Sequence, residues 1–190
     1  SPSPADPGGS CLKPRCAAVG AGLACLTAGA ASAAVLWWYA QDALKHEVRS
    51  SLMRTASTAA QLVDVPLHET LTDPSQEASP EYERAVDPPR RVLRGAGPLA
   101  FVYTAIQKNG QVRFVLDPTP AGDGDGDGVD DKSHVMEAYP DADEALLRAL
   151  RTGEPQSTDV PYTDAWGTFL SGYAPLRRAD GSLAGVLGVD

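Results

Sequence analysis

The sequence predicts an α+β domain that follows an N-terminal transmembrane helix. An uncharged run spans Ala17–Ala40, and a helical apolar stripe continues directly from it. The C-terminal half then alternates short apolar segments with turn signals. A long helix followed by antiparallel hairpins with a helix between them is typical of the α+β class. We therefore expect the transmembrane helix to continue into a long helix packed on a central antiparallel sheet.

The run Ala17–Ala40 has the length of a membrane span, since about 20 apolar residues cross the hydrocarbon core as a helix. The aromatic trio Trp37–Tyr39 lies at its end, where an interfacial aromatic belt is expected. The alternative interpretation is a cleaved signal peptide, with Ala31-Ser32-Ala33 as the cleavage site.

Charge predicts the orientation of this segment. Lys13 and Arg15 precede the run, which places residues 1–16 in the cytoplasm as a disordered tail rich in Pro, Gly and Ser. Only Asp6 among the 25 acidic residues and only these two among the 16 basic residues precede Ala40, so the remainder carries a formal charge near −10. Such a surface disfavours binding to nucleic acid or to anionic lipid headgroups.

Residues 41–190 carry no motif of an enzyme. Cys11, Cys16 and Cys25 all precede them, which excludes a disulfide framework and a thiol nucleophile there. Nucleophile elbows, zinc-binding His-Glu-x-x-His motifs and phosphate-binding loops are absent from the sequence. An anchored hydrolase is therefore the weakest of the functional hypotheses.

The first half of this region reads as helical. Apolar residues at three- and four-residue spacing predict a helix over Gln41–Val65. Its predicted buried stripe is Leu44, Val48, Leu52, Ala56, Ala59 and Val63. Residues 66–80 are polar and predict irregular structure, and a second helix over Glu81–Arg94 is expected to be interrupted near Pro88-Pro89.

The second half predicts two hairpins and one helix. Strands over Leu99–Gln107 and Val112–Pro118 are joined through Asn109-Gly110, a strong hairpin signal. A short helix over Asp141–Arg151 should stop at Gly153. Strands over Gly167–Arg177 and Ser182–Val189 then flank a turn at residues 179–181.

The segment from Asp123 to Asp131 has the spacing of a calcium loop. Asp123, Asp125, Asp127 and Asp131, with Gly128 at the sixth position, supply oxygen ligands at alternate positions of a loop. The twelfth position holds His134 where an EF-hand has a bidentate Glu. We expect calcium in a structural or regulatory role, and the alternative is a solvated, empty acidic loop.

Aromatic residues are the candidates for a small-molecule pocket, since aromatic side chains with a few polar groups line such sites. The simpler interpretation assigns them to the core. The candidates are Tyr103, Tyr139, Tyr162, Trp166 and Tyr173.

The final residues carry a family resemblance. Gly172-Tyr173-Ala174-Pro175, then Asp180-Gly181, then Gly185-Val186-Leu187-Gly188-Val189-Asp190 resemble the closing hairpin of extracytoplasmic PAS-like sensor domains of the Cache/PDC type. The order of anchor, long helix and first hairpin is also similar. In that family a second transmembrane helix follows the last strand, so the resemblance implies that the chain is truncated just before it.

The resemblance implies a PAS-like sheet with a ligand pocket on one face, and by position the ligand-binding residues would be Tyr103, Trp166, Tyr173 and Asp190. It further implies a homodimeric receptor in a bacterial inner membrane, with residues 41–190 facing the periplasm or exterior. Binding of an unidentified small molecule would then be signalled to a cytoplasmic output module, which would be a histidine kinase, a nucleotide cyclase or a chemoreceptor module. The competing hypothesis is a membrane-anchored, calcium-stabilised structural or adhesion domain without signalling output.

Overall fold

The computed structural model describes residues 13–124, 126 and 128–190, and the chain divides into two compact units at His46/Glu47. Helix α1 (Lys13–Ala60) supplies all described secondary structure of the first unit. The described side chains from Cys25 to His46 are exposed. No helix among the described residues combines the length and hydropathy needed to cross a bilayer.

Helix α1 continues without a break through Gln41, as the sequence predicts, but ends at Ala60 rather than Val65. A turn follows, in which the Leu62 N–H donates to the Ala59 carbonyl at 3.0 Å. Of the predicted stripe, the residues from Leu52 onward pack into the core, whereas Leu44 and Val48 are exposed. The buried part of the stripe is short because the core begins only in the second unit.

Short helices occupy the segment predicted to be irregular. They are α2 (Val65–Glu69) and a 3-10 helix (Pro74–Ala78), followed by helix α3 (Pro80–Gly95). Each starts after a side chain that accepts from a backbone N–H, as Asp and Ser caps do. The predicted interruption of α3 is wrong. Pro88 and Pro89 only remove two N–H donors, and a buried face that includes Pro89 holds the helix on the core.

Five strands form one antiparallel sheet in the order β2-β1-β7-β6-β3. Their bounds are β1 (Val102–Lys108), β2 (Gln111–Leu116), β3 (Gln156–Ser157), β6 (Gly172–Arg177) and β7 (Leu183–Val189). Asn109 and Gly110 have φ of 54° and 78°, which confirms the predicted hairpin turn. Helix α4 (Glu144–Thr152) stops at Gly153 with φ of 67°, as the sequence also predicts.

The predicted single strand Gly167–Arg177 is wrong, because it divides into two strands in different sheets. Strand β5 (Gly167–Phe169) pairs with β4 (Tyr162–Asp164) in a separate hairpin, and β6 begins only at Gly172. Gly167 has φ of 138°, a conformation that turns the chain sharply between β4 and β5. The sequence hides this break because apolar residues continue across it.

The sheet has two buried faces because side chains alternate along each strand. Val102, Ala174, Leu176, Leu187 and Val189 pack with α1, α2 and α3 in one cluster. Tyr103, Ala105, Tyr173 and Val186 face the other way and pack with α4 and the long loops. The candidate site lies on this second face.

Candidate functional site

A cavity lies on the second face at the end of β7, beneath the β4–β5 hairpin and the loop after β2. Its lining comprises Phe101, Tyr103, Phe114, Asp117, Asp131, Ser133, Tyr139, Asp164, Trp166, Phe169 and Asp190. The cavity volume, taken as the region in which the centre of a water molecule can lie, is about 20 Å³. This is room for about one ordered water. Three of the four residues placed at the ligand site by the sequence resemblance, Tyr103, Trp166 and Asp190, meet in this lining.

Aromatic rings form the walls of the cavity. The Phe114 ring stacks on Tyr139 with centroids 4.7 Å apart, and it meets the edges of Tyr103 and Trp166 at 5.3 and 5.4 Å. Gly188 makes room for the floor, since a Cβ there would lie 2.8 Å from the Tyr103 ring. The absence of a side chain at Gly188 therefore allows the Tyr103 ring to pack on β7.

Buried polar atoms without partners mark one end of the cavity. Among the described residues, neither the Tyr103 hydroxyl nor Oδ1 of Asp190 has a hydrogen-bond partner. The Ser171 hydroxyl is fully buried and lies close enough to Asp190 to favour its ionised form, without the geometry of a full hydrogen bond. Buried polar groups are otherwise paired in the great majority of cases, so this end is built to receive a polar group or a water.

Burial controls the charge of Asp190. Desolvation is the main cause that raises the pKa of its carboxyl to about 8; Ser171 opposes this change, and the nearby Asp164, Asp143 and Asp117 add to it. At neutral pH the Asp190 carboxyl is therefore mainly in its neutral, protonated form. Desolvation first, and Asp190 second, also raise the pKa of Tyr103 well above its ordinary value.

The other carboxylates of the cavity are already engaged. Asp164 accepts from the Tyr139 hydroxyl at 2.5 Å and from the Trp166 N–H at 2.9 Å. Asp117 accepts from Ser133 through both the backbone N–H, at 2.9 Å, and the hydroxyl, at 2.8 Å. These bonds fix the lining in place and leave Asp190 as the carboxyl with a buried oxygen to spare.

Tyr173 lies behind the cavity rather than in its lining. Its ring is fully buried, and its hydroxyl donates a short hydrogen bond to Asp143. Asp143 is also the N-cap of α4, because its Oδ1 accepts from Ala145 N–H at 2.7 Å. Tyr173 thus ties α4 to β6 and supports the site from beneath.

Trp166 is half-buried at the edge of the cavity. Its indole Nε1–H donates to the Asp130 carbonyl at 3.0 Å, and its ring meets Tyr139 at 5.7 Å. The β4–β5 hairpin and the acidic loop therefore meet through this side chain above the sheet. Because the cavity has room for about one water, binding of a larger ligand requires its lining to move.

The calcium prediction falls partly outside the described residues, since Asp125 and Asp127 lie there. Asp123 accepts from the N–H groups of Gly126 and Gly128 at 2.6 and 2.9 Å, and Asp131 accepts from Gly124 at 2.7 Å. His134, at the position of the missing Glu, pairs with Glu77 at 3.1 Å. Among the described residues, no group of three or more His, Cys, Asp or Glu side chains is arranged to hold a metal ion.

Sequence reasoning did not identify several residues of the site. Asp117, Asp164 and Ser171 come from turns or strand ends, where acidic and hydroxyl residues are common and carry no distinctive pattern. Phe101, Phe114 and Phe169 read as ordinary core residues. Only the register Gly172↔Val189 places Ser171 beside Asp190, and that pairing is a property of the folded sheet.

Solved structures similar to this chain include an extracellular domain and a ligand-binding domain. One is the extracellular domain of mmHK1S-Z2, a protein assigned as a histidine kinase, with 17% identity, a TM-score of 0.46, and coverage of 77% of this chain and 54% of that one. The other is the ligand-binding domain of the Campylobacter jejuni chemoreceptor Tlp3 in complex with L-valine, with 21% identity, a TM-score of 0.36, and coverage of 80% and 58%.

This chain spans little more than half the length of both structures. No model of a known protein family matches the chain, and no curated protein matches it.

Proposed function

We propose that residues 41–190 are the extracytoplasmic ligand-sensing segment of a membrane-bound bacterial signal-transduction receptor. The observation that carries the proposal is the aromatic cavity with the unpartnered Tyr103 hydroxyl and Asp190 Oδ1 at its end. Aromatic walls with a few convergent polar groups are typical of small-molecule sites.

The lining selects a class of ligand. Asp117, Asp131, Asp164 and Asp190 contribute carboxyl groups, and no basic side chain lines the cavity among the described residues. A ligand with an ammonium group would favour the ionised form of Asp190, whose proton would pass to the solvent, and would pair with the resulting carboxylate against aromatic rings that favour cations. We therefore propose a small organic amine as the ligand.

Anchoring and output are further parts of the proposal. The uncharged run Ala17–Ala40 would hold the chain in the inner membrane, and the exposed Trp37, Trp38 and Tyr39 would lie at the outer interface. A second membrane helix after Asp190 would lead to a histidine kinase or cyclase module, with the receptor acting as a homodimer. A calcium-stabilised adhesion domain is the alternative that a failure to find any ligand would favour.

A thermal-shift screen with a library of small amines, acids and neutral compounds tests the ligand proposal. We expect amines to raise the melting temperature of the chain, and Asp190→Asn to weaken their binding by about 30-fold or more, because losing one partner of a buried charged pair costs about 2 kcal/mol or more. Asp141→Asn is the matched control, since Asp141 is exposed and lies outside the cavity lining. A screen in which only acids bind, or in which both variants behave alike, contradicts the assignment.

A further inference from the structure

The start of strand β6 lies between helix α1 and the cavity. Because side chains alternate along the strand, Ser171 and Tyr173 face the cavity side of the sheet, while Gly172 faces α1. Only the thickness of the strand at Gly172 therefore lies between α1 and the end of the cavity that holds Asp190 and the Tyr103 hydroxyl.

Gly172 allows the backbone of α1 to lie directly on the strand. A Cβ at this position would lie 2.5 Å from the Leu52 carbonyl carbon and 2.8 Å from its oxygen. Atoms at such distances must move, and here they belong to helix backbone rather than to a flexible side chain. A displacement of β6 toward α1 at Gly172 would therefore meet the helix backbone at Leu52.

A second connection joins the same turn of α1 to the same strand end. Arg49, one turn before Leu52, forms an ion pair with Asp159. The neighbouring Thr158 exchanges two hydrogen bonds with Ser171: its N–H donates to the Ser171 carbonyl at 3.0 Å, and its hydroxyl accepts from the Ser171 N–H at 2.9 Å. Two contacts therefore connect Ser171 to this part of α1: the neighbouring Gly172 packs on Leu52, and Thr158, which hydrogen-bonds Ser171, is next to the ion pair of Asp159 with Arg49.

The cavity end is equally close to this tripeptide. In the sheet register Gly172 is opposite Val189, so Ser171 lies beside Asp190. Asp190 is in turn held to the residues before β1, since its N–H donates to the Phe101 carbonyl at 3.0 Å and its carbonyl accepts from Ala100 at 2.7 Å.

From this juxtaposition we propose that the tripeptide Ser171–Tyr173 couples the cavity to helix α1, so that a change at Asp190 shifts the turn Arg49–Leu52. This assigns the route by which the proposed sensor passes occupancy of its cavity to the helix. The proposal rests on the sensor function for its biological meaning, but the coupling itself is a property of the fold and is measurable without a ligand.

The test perturbs the contact and reads out both ends. Gly172→Ala should accelerate amide hydrogen exchange in residues 49–56 by about fivefold or more, because overpacking at a backbone contact costs about 1 kcal/mol or more. It should also lower the titration midpoint of the Asp190 carboxyl, followed by carboxyl ¹³C NMR, as the loosened strand admits water. Gly185→Ala is the matched control: its Cβ would meet the Ala105 carbonyl oxygen at 2.8 Å, on the same face but away from α1 and the cavity.

A second variant changes the helix side of the contact and still tests the proposal if Gly172→Ala does not fold. Arg49→Met removes the ion pair with Asp159 and should move the Asp190 midpoint in the same direction as Gly172→Ala, whereas Arg54→Met, on the exposed side of α1, should not. An unchanged Asp190 midpoint in Arg49→Met, or equal effects of the paired controls, would overturn the coupling. An amine screen without hits would contradict the sensor proposal and leave this result standing.

Discussion

At the scale of single residues, Asp190 and His68 lie on opposite faces of the sheet, and burial favours the neutral form of each. Asp190 lies on the cavity face. His68 lies on the helix face, 1% exposed, with its Nε2 at 3.0 Å from the Thr104 hydroxyl oxygen. Burial lowers the pKa of His68 to about 4, and the weaker effect of Glu69 opposes that change.

Protonation of His68 should make the domain sensitive to acid. The folded state holds fewer protons at this site than the unfolded state, so the stabilisation is complete above about pH 6.5 and is lost as pH falls toward 4. We expect His68→Gln, which cannot titrate, to reduce the loss of unfolding free energy between pH 7.5 and 4.5 by about 2–3 kcal/mol. Urea unfolding followed by circular dichroism at the two pH values measures it.

The exposed His46 provides the control for that experiment. His46→Gln should leave the pH dependence of stability as it is in the wild-type chain. An equal loss of unfolding free energy between pH 7.5 and 4.5 in His68→Gln and the wild type would show that His68 does not contribute to acid sensitivity.

Individual site residues could be predicted only where chemistry and position coincide. Trp166 in a polar turn and Asp190 at the end of a strand are distinctive in sequence, and the structure places both in the cavity lining. Asp164 and Ser171 are not distinctive, because their roles arise from a Tyr139 hydroxyl 25 residues away in the chain and from a strand register. Long-range pairing of this kind leaves no local pattern.

At the scale of elements, the β4–β5 hairpin covers the cavity, and the indole of Trp166 links it to the acidic loop. Trp166→Phe keeps a ring against Phe114 and Tyr139 but removes the donor to the Asp130 carbonyl. A single hydrogen bond contributes about 1 kcal/mol, so hydrogen exchange in residues 162–169 should accelerate about fivefold. Mass-spectrometric exchange measures this, with Trp38→Phe as the control. Unchanged exchange in Trp166→Phe would mean that the hairpin does not depend on the link.

Thermal melting with and without calcium tests the prediction that the acidic loop Asp123–Asp131 binds this ion. Calcium that binds only the folded state should raise the melting temperature of the chain, by an amount that corresponds to about 2.7 kcal/mol at a hundred times its dissociation constant. Asp125→Ala with Asp127→Ala should abolish the rise, whereas Asp87→Ala with Asp141→Ala, two acids outside the loop, should preserve it. Equal melting in calcium and in chelator would identify an empty acidic loop.

Elements with strong local signals were predicted well, and the others were not. The Asn109-Gly110 hairpin and the stop of α4 at Gly153 depend on backbone conformations that these residue types adopt most readily. The uninterrupted α3 and the divided strand Gly167–Arg177 depend instead on packing. A buried face can hold two prolines in a helix, and a neighbouring hairpin can capture part of an apolar segment.

At the scale of the whole molecule, the proposed receptor requires a defined membrane topology. A phosphatase reporter that is active only outside the cytoplasm, fused after Asp190, should be active, because the basic residues before Ala17 keep the N-terminus inside. Mass spectrometry of the membrane fraction should find the chain intact, whereas cleavage after Ala33 would support a signal peptide. Activity of a second reporter, one that works only in the cytoplasm, fused at the same position would contradict the predicted orientation.

In the proposed sensor, the cavity binds a small amine, and the Asp190 carboxyl releases its proton to the solvent as the amine binds. Calorimetric titration of the tightest amine from the screen, at pH 7 in two buffers of different ionisation enthalpy, counts the protons that move on binding. Because burial raises the pKa of Asp190 to about 8, we predict the release of about one proton per amine bound, and no release from Asp190→Asn. Amine binding without proton release, at equal affinity in both proteins, would contradict the account.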